Sequence, residues 1–467
     1  MPESDSARHS QGVSSLFEAK RTIRPGSRRD RHRVRLRLRR AWRIAVVAAV
    51  AILGGIVAAL FARLCDVALA WHHRLFGRHD WLPLVVLPAG MVFFTWITGR
   101  FAPEASGSGI PQVIAAAERR WGSGRWGGQR VTLRTALWKV VMTAGLLLCG
   151  ASIGREGPTV QVVAGVTRSL TRGLKGGPGR RAMIVAGGAA GVAGAFNTPI
   201  AGIVFAVEEL TKGFDQRTHI TVILVVVATG MASYALQGDY AYFGSMQGQA
   251  SASAWLAAPI IGIVGGFCGG VFARLLAELT GPSNNPVARF RRARPLVFAG
   301  ICGLLAAFAA WASGGITYGT GYAEAKAMLQ GHPGEGALFA GWKMLANLAA
   351  SASGAPGGIF APALAAGAGL GAAFFHAGLL VGGRDAVVLG MTSYLSGVVQ
   401  APLTSAVILM EMTREPGLVG PLLLAALLAR WASSWIMPEP IYHVLSRAWR
   451  PAPEAPKPVT SPSREGG

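Results

Sequence analysis

Stretches of 19 residues or more without a single Asp, Glu, Lys or Arg recur along the chain, among them 44–62, 81–99, 240–273, 295–323, 344–383 and 386–410. A helix needs about 20 apolar residues to cross a hydrocarbon core. No soluble fold requires so many such runs, so the chain is read as an all-α, multi-pass membrane protein.

Composition agrees: 51% of the 467 residues are hydrophobic, 14% are charged, and the mean hydropathy is +0.40. Glycine is abundant, at 63 residues, and spacings such as Gly262 to Gly266 permit close helix packing in lipid. The formal charge of +23 would fit a nucleic-acid partner if it were spread over a folded surface. Much of it instead sits in an N-terminal arm that holds Arg28, Arg29, Arg31, Arg33, Arg35, Arg37, Arg39, Arg40 and Arg43. Basic residues beside a first span stay in the cytoplasm and attract anionic lipid. No nucleic acid is therefore expected, and the N-terminus is expected to be cytoplasmic. Residues 1–19 are polar and show no cleavable leader, so the first span is expected to act as its own signal. Cys65, Cys149, Cys268 and Cys302 lie scattered in apolar sequence without metal-ligand spacing, which predicts no metal site and no disulfide framework.

The organisation is a basic cytoplasmic arm over 1–41, read as lacking regular structure, a membrane domain over 42–450 and a disordered Pro/Ser-rich cytoplasmic tail over 451–467. Within the membrane domain a weak repeat relates 42–213 to 254–436. Asn197-Thr-Pro-Ile-Ala-Gly-Ile-Val-Phe-Ala-Val-Glu208 resembles Gln400-Ala-Pro-Leu-Thr-Ser-Ala-Val-Ile-Leu-Met-Glu411, with nine residues from proline to glutamate in each (199 to 208, 402 to 411). Upstream, Gly154-Arg-Glu-Gly-Pro158 and Gly358-Ile-Phe-Ala-Pro362 precede those prolines by 41 and 40 residues (158 to 199, 362 to 402). Matched Gly/Pro breaks in two halves of a membrane protein point to broken helices that meet near the midplane at a transport site.

A third break, Gly107-Ser-Gly-Ile-Pro111, completes the set. Proline suits the first helical turn and glycine allows close backbone approach, so each break predicts a helix start with free N–H groups. Such starts favour an anion, above all where no water can solvate it. One break alone reads more simply as a kink. Three, two of them at matched repeat positions, favour an anion site.

These three breaks, together with the run AFNTPIAGIVFAVEEL over 195–210, resemble the filter and proton-route motifs of the CLC family of chloride channels and chloride/proton antiporters, here of the type without CBS domains. The resemblance spans roughly 43–449. It implies about eighteen tilted and re-entrant helices in two inverted repeats, and a homodimer in which each subunit has its own pathway. It also implies a multi-pass location in the cell membrane (the inner membrane in a Gram-negative source) with both termini cytoplasmic. The selectivity filter so implied comprises Gly107, Ser108, Gly109, Ile110 and Pro111, then Gly154, Arg155, Glu156, Gly157 and Pro158, then Gly358, Ile359, Phe360, Ala361 and Pro362. Chloride would be held by the Ser108 hydroxyl, by the Ile359 and Phe360 N–H groups, and by the hydroxyl of Tyr442. Serine at 108 resembles chloride-preferring members rather than those that prefer nitrate.

Glu156, a carboxylate inside an apolar break, is costly to ionise unless the anion-binding N–H groups receive it. The resemblance makes it the gate that competes with chloride, and makes Glu209 the acid that passes protons to the cytoplasmic side. A salt bridge to Arg155 is the bland alternative for Glu156. Glu208 aligns with Glu411 and reads as a helix-end charge or a helper at the water entrance. The expected function is proton-coupled chloride exchange, with passive chloride conduction as the alternative. The substrates are chloride and protons, with no cofactor, and the surrounding partner is lipid. Gly150-Ala-Ser152-Ile-Gly154 also fits the GxSxG pattern of a serine hydrolase. That reading needs a strand before Ser152 and a histidine base, and the sequence offers neither, so no enzyme is expected.

Overall fold

Proline in the first turn sets many of the helix starts, since its missing N–H is one the helix could not have paired. The computed structural model describes residues 28–76, 81–118, 130–211, 219–238, 243, 252–281, 283–332, 336–378 and 382–450. Among these residues lie eighteen α-helices and no β-strand. Proline opens α2 (Leu82–Phe101), α3 (Ile110–Ala117), α7 (Pro199–Phe205), α10 (Pro286–Ala293), α11 (Pro295–Ala312) and α16 (Pro402–Thr413). The other helices are α1 (Arg28–Phe76), α4 (Leu133–Leu148), α5 (Glu156–Thr171), α6 (Arg180–Phe196), α8 (His219–Gln237) and α9 (Ala252–Thr280), followed by α12 (Tyr322–Leu329), α13 (Gly336–Ala352), α14 (Phe360–His376), α15 (Gly383–Val399), α17 (Val419–Ile436) and α18 (Ile441–Ser446). Among the described residues six helices are long and apolar enough to cross a membrane, while α14 and α16 are apolar but shorter.

The chain divides into residues 1–46 and 47–467. In the first unit the structure corrects one expectation: the basic segment is helical from Arg28 onward rather than irregular. Arginine and leucine are good helix formers, and extending a helix costs far less than nucleating one. Residues 1–27 and the tail 451–467 lie outside the described residues.

Small residues bring the helices of the second unit together. On α9, Gly266 faces Ala429 of α17 so closely that an added Cβ would sit 2.3 Å from the Ala429 carbonyl oxygen. Gly262, one turn away, meets Ala425 in the same manner. The GxxxG spacing therefore does the packing expected of it.

The repeat is visible in the backbone. Helices α6 and α15 have 17 residues each, and each ends on a non-glycine residue in the left-handed region, Asn197 at φ 58° and Gln400 at φ 57°. The proline-led helices α7 and α16 follow, and their starts are capped crosswise. The Glu411 carboxylate accepts from the N–H groups of Ile200 (3.1 Å) and Ala201 (2.7 Å). The Glu208 carboxylate accepts from Leu403 N–H (3.1 Å), Thr404 N–H (2.7 Å) and the Thr404 hydroxyl (2.7 Å). Each half thus satisfies the helix start of the other, as a two-fold relation requires. Glu208 is a structural cap, not a surface charge.

Candidate functional site

All three breaks meet in one place. Gly154 and Gly358 exchange both backbone hydrogen bonds at 2.7 Å, Gly357 N–H donates to the Gly107 carbonyl at 3.0 Å, and Gly107 N–H donates to the Ala355 carbonyl at 3.3 Å. From this knot start α3 at Ile110, α5 at Glu156 and α14 at Phe360. First-turn N–H groups have no partner inside their own helix, so the knot gathers the positive ends of three helices around buried backbone. Gly109, at φ 102°, takes the left-handed turn that lets α3 leave the knot. Gly157 is equally constrained, because an added Cβ would lie 2.3 Å from Ser108 Oγ.

Ser108 and Tyr442 are buried, and their hydroxyls lie within reach of each other, yet neither forms a hydrogen bond of normal geometry with any protein group. The Tyr442 ring stacks on Phe360, with centroids 6.0 Å apart and planes at 15°, and Phe196 meets Phe360 edge-on at 5.9 Å. Ser108, Ile359 and Tyr442 line a cavity of about 260 Å³ with Gln112 and Arg291. Gln112, which directly follows the first break, donates to the Ser106 carbonyl at 2.6 Å and so braces it.

Glu156 is 1% exposed and opens α5 on the far side of the knot. Its Oε1 accepts a hydrogen bond from the Tyr322 hydroxyl at 2.9 Å. An added Cβ on Gly154 would fall 2.3 Å from Glu156 Oε2 and 3.1 Å from the Ala361 nitrogen, which puts the carboxylate at the start of α14. The bland salt bridge to Arg155 is not formed: the Arg155 guanidinium donates instead to the Ala62 carbonyl and to Asp66 Oδ1, both at 2.6 Å. Glu209 is 2% exposed in a π-helical turn, Ala206–Leu210, with Oε1 3.7 Å from His443 Nε2. A π-turn of this kind is a frequent companion of functional side chains.

Several supporting residues escaped the sequence reading. Lys139 Nζ donates to the carbonyls of Ala105 (2.7 Å) and Gly107 (2.5 Å), and Lys343 Nζ to those of Thr317 and Gly319 (both 2.9 Å). Each lysine precedes its break by fifteen residues (139 to 154, 343 to 358), and each holds a segment of one pattern, Gly107-Ser-Gly-Ile110 or Gly319-Thr-Gly-Tyr322. The matching glycines all have positive φ: 62° and 102° in the first segment, 62° and 81° in the second. Tyr322, which touches Glu156, is thus the repeat counterpart of Ile110. The GTGY string was the available signal. Ser152 is buried between α4 and α5 with no strand before it among the described residues, so the hydrolase elbow is not built.

Residues 89–434 match the sequence profile of a family described as voltage gated chloride channel. The chain is similar to the H(+)/Cl(-) exchange transporter ClcA of Vibrio parahaemolyticus, at 32% identity over 394 residues, covering 78% of this chain and 79% of that one. It is 31% identical over 375 residues to the protein of the same name from Yersinia pestis, covering 75% and 74%. Among solved structures it resembles a slow cyanobacterial Cl-/H+ antiporter, with TM-score 0.73, 24% identity, and 87% of this chain and 97% of that one covered. A CLC-type fluoride/proton antiporter gives TM-score 0.72 at 23% identity, with 87% and 98% covered. These two likenesses carry the fold alone.

Proposed function

Since the chain belongs to the voltage gated chloride channel family, we propose that it exchanges chloride for protons across a cell membrane, as a homodimer with one pathway in each subunit and both termini cytoplasmic. The observation that carries the reading is the knot of three helix starts with a glutamate at its edge. Chloride offers no hydrogen-bond donor, so it needs a site made only of donors, and the Ser108 and Tyr442 hydroxyls and the α14 N–H groups of Ile359 and Phe360 form such a set. Fixed dipoles rather than a paired cation hold it, which keeps binding weak enough to release. The deprotonated Glu156 carboxylate, beside the Ala361 nitrogen at the same helix start, suits such donors too, so glutamate and chloride compete for the start of α14. Protonation removes its claim on them and lets chloride pass. Glu209, buried beside His443, is the candidate for receiving that proton on the cytoplasmic side.

A basic N-terminal arm supports the cytoplasmic placement of the N-terminus. Ile200 and Leu403, exposed and matched in the repeat beside the crossed caps, offer an apolar face to a partner subunit. The direct test of exchange is purified protein in liposomes under a chloride gradient: protons move uphill in an exchanger and stay at equilibrium in a passive channel.

Two variants probe the anion side. Ser108→Pro removes a donor worth about 1 kcal/mol, so chloride preference over nitrate is expected to fall about five-fold. Competitive uptake measures the ratio, and an unchanged ratio would refute the role of Ser108. Tyr322→Phe removes the hydrogen bond that holds the Glu156 carboxylate in place. A hydrogen bond to a charged group contributes about 1.5–3 kcal/mol, so the gate is expected to vacate its place more often and chloride turnover at fixed pH to rise about ten-fold. Equal turnover in Tyr322→Phe and wild type would mean that the contact does not restrain the gate.

A further inference from the structure

Glu209 is buried close to a cavity that its neighbours Leu210 and Thr211 line. It is 2% exposed, and it is not itself among the residues that line that cavity, a space of about 340 Å³ whose polar lining includes Glu118, Arg181, Glu439, His443, Arg447 and Arg450. Glu208, its sequence neighbour, is turned away and spent on the α16 cap. His443 belongs to both places: it lines the cavity, and its Nε2 stands 3.7 Å from Glu209 Oε1.

We propose that His443 is a proton-transfer residue that connects this cavity to Glu209, a step within the exchange reading above. Imidazole is the side chain that gains and loses a proton between about pH 5 and 8. A proton taken from cavity water makes the imidazolium; its Nε2–H then passes to Glu209 Oε1, leaving neutral imidazole and a neutral carboxylic acid. Only N–H and O–H bonds change, and the reverse sequence returns the proton. At 3.7 Å the two atoms are just beyond hydrogen-bond reach, so a small ring movement makes and breaks the link.

The charges facing His443 are mixed. Besides Glu209, the acids are Glu118 at the end of α3 and Glu439 before α18; the bases are Arg181 on α6 and Arg447 and Arg450 beyond α18. Tyr442 precedes His443 on α18 and turns to the anion site. Two of the acids are already paired, Glu118 with Arg450 and Glu439 with Arg447. Arg181 donates to the Ala117 carbonyl at 2.7 Å. Among the described residues that line the cavity, His443 stands beside both its space and Glu209, which positions it to connect the two.

The experiment uses the full chain in liposomes, with chloride efflux and proton uptake recorded together across pH 5 to 8. A residue that passes protons contributes about 100-fold or more to a transfer step, so His443→Gln is expected to slow proton uptake at least ten-fold and to keep chloride flux within about two-fold of wild type. Its remaining proton flux should lose the pH profile of the wild type. In His443→Ala, imidazole added on the cavity side should restore proton uptake, which no purely structural role explains. Wild-type proton flux and pH profile in His443→Gln, or His443→Ala insensitive to imidazole, would overturn the proposal. Chloride flux without any proton movement in the wild type would overturn the exchange reading itself, and that result is visible before any variant is made.

Discussion

Glu156→Gln is expected to carry chloride without moving protons. Glutamine keeps the length and shape of the protonated acid, so chloride loses its competitor at the start of α14, where the carboxylate lies near the Ala361 nitrogen. It cannot release a proton, so the link between the two ions is cut. Proton uptake driven by a chloride gradient should fall at least about 100-fold, the scale of a lost proton-transfer group, while chloride flux persists and no longer varies with pH. The variant also keeps a partner for the Tyr322 hydroxyl, because an amide oxygen accepts as a carboxylate does. Uphill proton movement by Glu156→Gln would sink the gating role.

The second large effect is a clean separation of the two ions by Glu209→Gln. Glu209 lies apart from the knot of helix starts, in its own π-turn, and its neighbour is His443 rather than Ser108 or Phe360. Substitution there should lower proton uptake to the liposome leak, about 100-fold or more, and leave chloride flux within about two-fold. Chloride loss equal to proton loss would place Glu209 in the anion path instead. A wild type that moves no protons uphill, with Glu209→Gln unchanged from it, would identify a passive channel.

Much of this site was legible because glycine and proline write backbone geometry directly into sequence. Gly109, Gly154 and Gly157 stand where a Cβ would collide with a neighbour or demand a left-handed turn, and proline marks the helices that follow. The repeat was legible for a similar reason: Asn197 and Gln400 end their helices in the same conformation. Side chains that act at a distance along the chain left weaker traces. Nothing local to Tyr322 says that its hydroxyl meets a residue 166 positions earlier, and only its GTGY context, matched to GSGI, carries the hint. Glu208 and Glu411 were aligned by the repeat, but their purpose emerges only when each is seen on the other half's helix start. The helical arm was misread because charge density was weighed above the propensity of Arg and Leu.

Those crossed carboxylates also set an order of assembly. The N–H groups of Ile200 and Ala201 wait for a glutamate that is 211 and 210 residues further along the chain. At about 5–20 residues per second, a ribosome takes about 10–40 s to supply it. An unpaired backbone group in hydrocarbon costs several kcal/mol, so through that interval the start of α7 has to stay near the water interface. Final seating of the first half is therefore a late event in biogenesis, timed by synthesis of the second.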